Sequence, residues 1–182
     1  NSAALGFAEA SGLPFELGLI RNHYIGRTFI RPAQHTREAG VRVKYNVVRS
    51  LLEGKRVVVV DDSVVRGTTS RKLVALLKRA GVREVHLRIA SPPVVGPCYY
   101  GIDTPSREEL IAATHGLDAI QSYLGVESLG YLSEAGLKAS VQHPSHHCYA
   151  CFTNKYPVPV AGDPATAANP SGASGRLSTV RR

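Results

Sequence analysis

Val57-Val58-Val59-Val60-Asp61-Asp62-Ser63-Val64-Val65-Arg66-Gly67-Thr68-Thr69-Ser70 passes from four consecutive valines straight into two carboxylates and a loop rich in hydroxyls. A valine run of this kind suits a strand buried on both faces, as in a parallel sheet, and open α/β sheets place their ligand sites at the carboxyl ends of such strands. Thr69 to Ala80 then reads as a helix, with apolar Leu73, Val74, Leu76 and Leu77 set among Arg71, Lys72, Lys78 and Arg79, and Gly81 as its stop. The loop is therefore expected at a helix N-terminus, where unpaired amides and the helix dipole favour a phosphate.

Each residue type in the loop has a chemical use. Asp61 and Asp62 can accept hydrogen bonds from vicinal ribose hydroxyls, directly or through Mg²⁺, while Ser63, Thr68 and Thr69 can donate to a 5-phosphate together with the amides of Val64, Val65 and Arg66. Gly67 lets the main chain approach that phosphate closely. A valine run ending in Asp-Asp also opens receiver domains and resembles the acidic strand end of nucleotide hydrolases, and many βα turns use Asp or Ser only as caps. Neither alternative calls for Arg66-Gly67-Thr68-Thr69-Ser70 at this offset, so the loop is read as a sugar-phosphate cradle.

The segment from Val57 to Ser70 resembles the phosphoribosyl-pyrophosphate (PRPP) loop of the type I phosphoribosyltransferases. Around it lie Ile20-Arg21-Asn22-His23-Tyr24-Ile25-Gly26-Arg27-Thr28-Phe29-Ile30, Ile89-Ala90-Ser91-Pro92-Pro93, Tyr100-Gly101-Ile102-Asp103-Thr104-Pro105-Ser106 and Cys148-Tyr149-Ala150-Cys151-Phe152. These blocks, in this order from about Ala3 to Pro159, resemble the glutamine PRPP amidotransferases within that family. The resemblance implies an α/β fold with a parallel sheet flanked by helices and a C-terminal cysteine-containing extension. It also implies an activity: PRPP, glutamine and water give 5-phosphoribosylamine, pyrophosphate and glutamate, opening purine nucleotide synthesis. Ammonia would come from a glutaminase domain that nothing in this sequence matches. Purine nucleotides as feedback inhibitors and a homotetramer follow from the same resemblance. Two rivals are a PRPP-binding regulator of the same fold, which would not need the cysteines, and a nucleobase phosphoribosyltransferase, which would need a base-recognising hood.

The chain has 182 residues and no methionine, and is expected to be a fragment of a longer enzyme. No apolar run is long enough to span a bilayer and no export signal opens it, so a cytoplasmic protein is expected. The formal charge of +8 could suit nucleic acid or an acidic membrane, but the basic residues are dispersed and few aromatics lie among them for base stacking. A polyanionic substrate gives those cations a simpler use.

The most basic stretch runs from Arg21 to Lys44 and includes Arg27, Arg31, Arg37 and Arg42 among polar and turn-forming residues. By itself it reads as a solvated surface loop. The resemblance implies a lid that folds over PRPP and excludes water, with Arg27 and Lys44, and then Arg31, as pyrophosphate contacts.

Cys148 and Cys151 form a C-x-x-C pair, and Cys98 lies far upstream. Free buried thiols, a zinc site recruiting His143, His146 or His147, and an iron–sulfur cluster needing a fourth thiolate all fit the residues, and spacing alone favours zinc. The resemblance implies a [4Fe–4S] cluster on Cys98, Cys148 and Cys151, with its fourth ligand upstream.

Beyond the helix, Val85 to Ala90 reads as the next parallel strand. Ser106-Arg107-Glu108-Glu109 reads as a capping box opening a helix through Ala113, and Asp118 to Leu124 as a short helix. The expected organisation is a partial transferase domain over 1–125, a cluster-binding extension over 126–160, and a disordered tail over 161–182, where small and turn-forming residues dominate.

Overall fold

The computed structural model describes residues 1–22, 45–158 and 160. The expected strand and helix around the loop both form. Strand β3 covers Arg56–Asp61, a helix follows over Thr68–Arg79, and β4 covers Glu84–Ile89. Strand β5, Ser128–Tyr131, completes a parallel sheet of order β3-β4-β5. A separate antiparallel pair joins β1, Leu19–Arg21, to β2, Tyr45–Val47, with Arg21 opposite Tyr45.

Alternation along β4 explains the layering. Val85, Leu87 and Ile89 are buried on one face, while Glu84, His86 and Arg88 point to the other. The buried row meets Leu73, Val74 and Leu77 of the Thr68–Arg79 helix and Ile120 and Leu124 of the Leu117–Leu124 helix. Val57 and Val59, in register with Val85 and Leu87, join this core from β3. The four valines are half-buried, short of the full burial on both faces that a parallel sheet implies, because β3 has a strand neighbour on one side only among the described residues.

One expectation at the element level changes. The Ser106 capping box does not form: Ser106 makes no side-chain cap, Arg107–Glu109 is a single 3₁₀ turn, and Leu110 is extended before a short helix over Ile111–Thr114. Burial decides this, since Leu110 is fully buried and draws the chain into the core. Beyond residue 125, β5 belongs to the same sheet as β3 and β4. The tail from 161 to 182 lies outside the described residues.

Candidate functional site

Asp61 is the last residue of β3 and is half-buried; Asp62 is exposed one step beyond the strand. The Asp61 Oδ1 atom accepts from the Asp62 amide at 3.0 Å, its carbonyl accepts from the Ala90 amide at 2.9 Å, and Asp62 Oδ1 accepts from Ser63 Oγ at 2.9 Å. These bonds fix two carboxylates side by side at the carboxyl edge of the sheet. Val64 then turns into the core, 1% exposed, and anchors the loop from beneath.

The loop ends on Gly67, whose φ of +73° lies in the left-handed region. A Cβ there would stand 3.0 Å from Tyr123 Cε1 and 3.1 Å from Ile111 Cδ1, so the glycine meets both a conformational and a steric demand. Thr68, Thr69 and Ser70 precede the first helical bond, donated by the Arg71 amide to the Gly67 carbonyl at 2.9 Å. Thr68 and Thr69 are exposed at this amide-rich end, and Ser70 is buried. Two further bonds tie the loop to the downstream segment: the Ile111 amide donates to the Val65 carbonyl at 2.9 Å, and Arg66 pairs with Glu109 at 2.8 Å. Arg71 lies over the Tyr123 ring, 5.0 Å from its centroid.

Sequence reasoning missed Tyr45. Burial raises its pKa above the ordinary tyrosine value, with Asp61 adding to the rise, Arg21 opposing it and Asp62 contributing less. The signal was hidden because Tyr45 directly follows the highly charged stretch ending at Lys44. Arg27, Arg31 and Lys44 lie outside the described residues.

An all-oxygen carboxylate pair suits a hard cation such as Mg²⁺, which takes one or two carboxylates and fills its shell with water and phosphate. Among the described residues no group of three or more His, Cys, Asp or Glu side chains closes around a metal position. A cation at Asp61 and Asp62 would accordingly draw its other ligands from substrate and water.

The cysteines form a second locus. Burial pushes the Cys151 thiol up, with Cys98 and then Cys148 adding to the rise, and among the described residues the three cysteines do not close around a metal position. The Cys151 carbonyl accepts from the amides of Val95, at 2.8 Å, and Gly96, at 3.0 Å, while Tyr156 Oη donates to the Pro97 carbonyl at 2.8 Å. These bonds hold the Cys98 segment against the Ala150–Thr153 helix. His143 and His146 stack on each other, with ring centroids 5.3 Å apart.

The phosphoribosyl transferase domain family model matches residues 9–90, a span that contains the whole acidic loop. The amidophosphoribosyltransferase of Bacillus subtilis strain 168 is 53% identical over 167 residues, covering 89% of this chain and 35% of that protein. Residues 9–90 of the chain are thus similar to a phosphoribosyl transferase domain. The amidophosphoribosyltransferase of Archaeoglobus fulgidus is 55% identical over 165 residues, covering 89% of this chain and 36% of its own length. A solved structure described as the allosteric regulatory enzyme of purine biosynthesis matches with TM-score 0.78 and 53% identity, over 90% of this chain and 36% of that one. The B. subtilis glutamine PRPP amidotransferase complexed with ADP and GMP matches with TM-score 0.75 and 54% identity, over 86% of this chain and 35% of that one. The chain thus spans about a third of the length of these phosphoribosyltransferase relatives.

Proposed function

We propose that this chain is the PRPP-holding part of an amidophosphoribosyltransferase, forming 5-phosphoribosylamine from PRPP and glutamine-derived ammonia at the start of purine nucleotide synthesis. The observation that carries the reading is the Asp61–Asp62 pair leading into a glycine-capped helix N-terminus, in a chain 53% identical to the B. subtilis amidophosphoribosyltransferase.

The chemistry follows from the charges. Asp61 and Asp62 accept the ribose hydroxyls and offset positive charge developing at the anomeric carbon, while the amides and hydroxyls of Thr68 and Thr69 receive the 5-phosphate. Ammonia attacks that carbon, the bond to pyrophosphate breaks with its electron pair leaving on pyrophosphate, and the new ammonium group loses a proton. Arg27 and Lys44 are assigned to the departing pyrophosphate. Asp61 and Asp62 would hold Mg²⁺, which when bound supplies charge neutralisation to that leaving group.

In the enzyme at its natural full length, Asp62→Asn is expected to lower ammonia-dependent turnover on the order of hundredfold, as for loss of one preorganised electrostatic contact, with glutamine hydrolysis retained. Near-normal turnover would remove the assignment.

Cys98, Cys148 and Cys151 are assigned to a [4Fe–4S] cluster with a fourth thiolate from elsewhere in the polypeptide, supported by the backbone bonds from Val95 and Gly96 that hold the Cys98 segment against the helix carrying Cys151. Anaerobically purified full-length enzyme is expected to be brown and to contain iron and sulfide; colourless protein with stoichiometric zinc contradicts this. The B. subtilis relative was solved with ADP and GMP, and purine nucleotides are proposed as feedback ligands here, with a homotetramer as the assembly. No helix among the described residues is long and apolar enough to cross a membrane, and a cytoplasmic location completes the proposal.

A further inference from the structure

An arginine in a phosphate-binding loop is ordinarily expected to turn its guanidinium on the phosphate. The Arg66 side chain does otherwise: its Nη2 atom donates to Glu109 Oε2 at 2.8 Å, across a separation of 43 positions in the chain. That contact is one of three in a row. The Ile111 amide donates to the Val65 carbonyl at 2.9 Å, and Ile111 Cδ1 lies 3.1 Å from where a Gly67 Cβ would stand. Val65, Arg66 and Gly67 are therefore each met by the stretch from Glu109 to Ile111, and Leu110 in the middle of that stretch is fully buried. The main chain around Glu109 is itself held, its amide donating to the Ser106 carbonyl at 3.0 Å and the Leu110 amide to the Arg107 carbonyl at 3.1 Å.

The Arg66 and Glu109 side chains are 43% and 51% exposed, so their pair adds little to the stability of the whole fold. Its effect falls on the loop. Val65 and Arg66 lie between the buried Val64 and the left-handed Gly67, and a loop already held in its binding conformation loses less entropy when the ligand arrives.

We propose that Glu109 is a positioning residue for PRPP: by tying the Arg66 side chain to the 109–111 segment it fixes the loop that receives the 5-phosphate, and it keeps that guanidinium off the phosphate. The inference rests on the PRPP reading of the loop.

Glu109→Gln in the full-length enzyme removes the charge and keeps the shape. The KM for PRPP and the calorimetric Kd are both expected to rise about two- to fivefold, the range open to an exposed ion pair. The value of kcat should stay within about twofold and the melting temperature should be unchanged. Arg66→Gln should give a similar rise, and the double variant no more than either single one, because the same interaction is lost in all three. Unchanged KM and Kd in the Glu109→Gln enzyme, with or without a lowered melting temperature, overturn the positioning role. So does the opposite pattern, in which Glu109→Gln frees the guanidinium and tightens PRPP while Arg66→Gln weakens it. Read in a parent that takes up PRPP with magnesium, these outcomes bear on Glu109 alone. A parent that shows no such uptake overturns the PRPP reading itself, and the role of Glu109 with it.

Discussion

Gly67 meets two demands that no other residue satisfies together. Its φ of +73° costs an L-residue about 1–2 kcal/mol, and its missing side chain leaves room for Tyr123 and Ile111, both within 3.1 Å of a would-be Cβ. Tyr123 can swing, being partly exposed, whereas Ile111 is buried and cannot. Gly67→Ala is therefore expected to lower stability by about 1–3 kcal/mol, measured by urea unfolding, and to weaken PRPP binding by displacing the amides of Thr68 and Thr69. An alanine variant with parental stability and affinity would show that the loop is not held in this conformation. At this scale much of the site was legible, because Asp-Asp, glycine and paired threonines each answer a local chemical need that spacing reveals. The placement of Tyr45 was not, because it depends on a cross-strand pairing with Arg21 and on packing against a core that distant elements build.

The opening of β4 is secured by a side chain from another element. Glu127 accepts the Val85 amide on Oε2 at 2.6 Å and the Lys78 ammonium on Oε1 at 3.0 Å, linking β4, the Thr68–Arg79 helix and the approach to β5. Val85 is fully buried, so removing the carboxylate strands its amide. Glu127→Ala is expected to cost about 1–3 kcal/mol, nearly all from that unpaired amide, since the Lys78 pair is solvent-screened. Burial acts to raise the Glu127 pKa, but the Val85 amide and Lys78 outweigh it and hold the carboxyl below its usual range. Stability from this depressed value is whole above the ordinary carboxylate pKa and is lost as pH falls through the folded value. The gap between parent and variant should accordingly narrow on acidification; a gap that widens would refute the assignment. Helix and strand limits around the loop matched the sequence to within a residue or so, since periodicity and glycine stops are local. The Ser106 helix failed because burial of Leu110, a tertiary effect, overrode a good local capping pattern.

For the molecule as a whole, the described sheet is covered unevenly. Val58 and Val60 point away from the main core, in register with His86 and Arg88, and β3 has no strand neighbour on its outer side among the described residues. Parallel sheets are stable when both faces are covered, and a flat apolar edge is a template for another chain. Leu5, Leu13, Leu17 and Ile20 add exposed apolar surface upstream. The sequence signalled a doubly buried strand from the valines, but no local pattern could show which neighbours cover it, and relatives about three times as long have more chain to do so. The 182-residue chain prepared alone is therefore expected to associate as its concentration rises in sedimentation equilibrium. Val58→Lys, a charge on the outer face of an edge strand, should shift it toward monomer while leaving the core rows of Val57 and Val59 intact. A parent monomeric at every concentration, or a lysine variant that associates as strongly, would mean that β3 is already protected and that the half-exposed valines have no part in assembly.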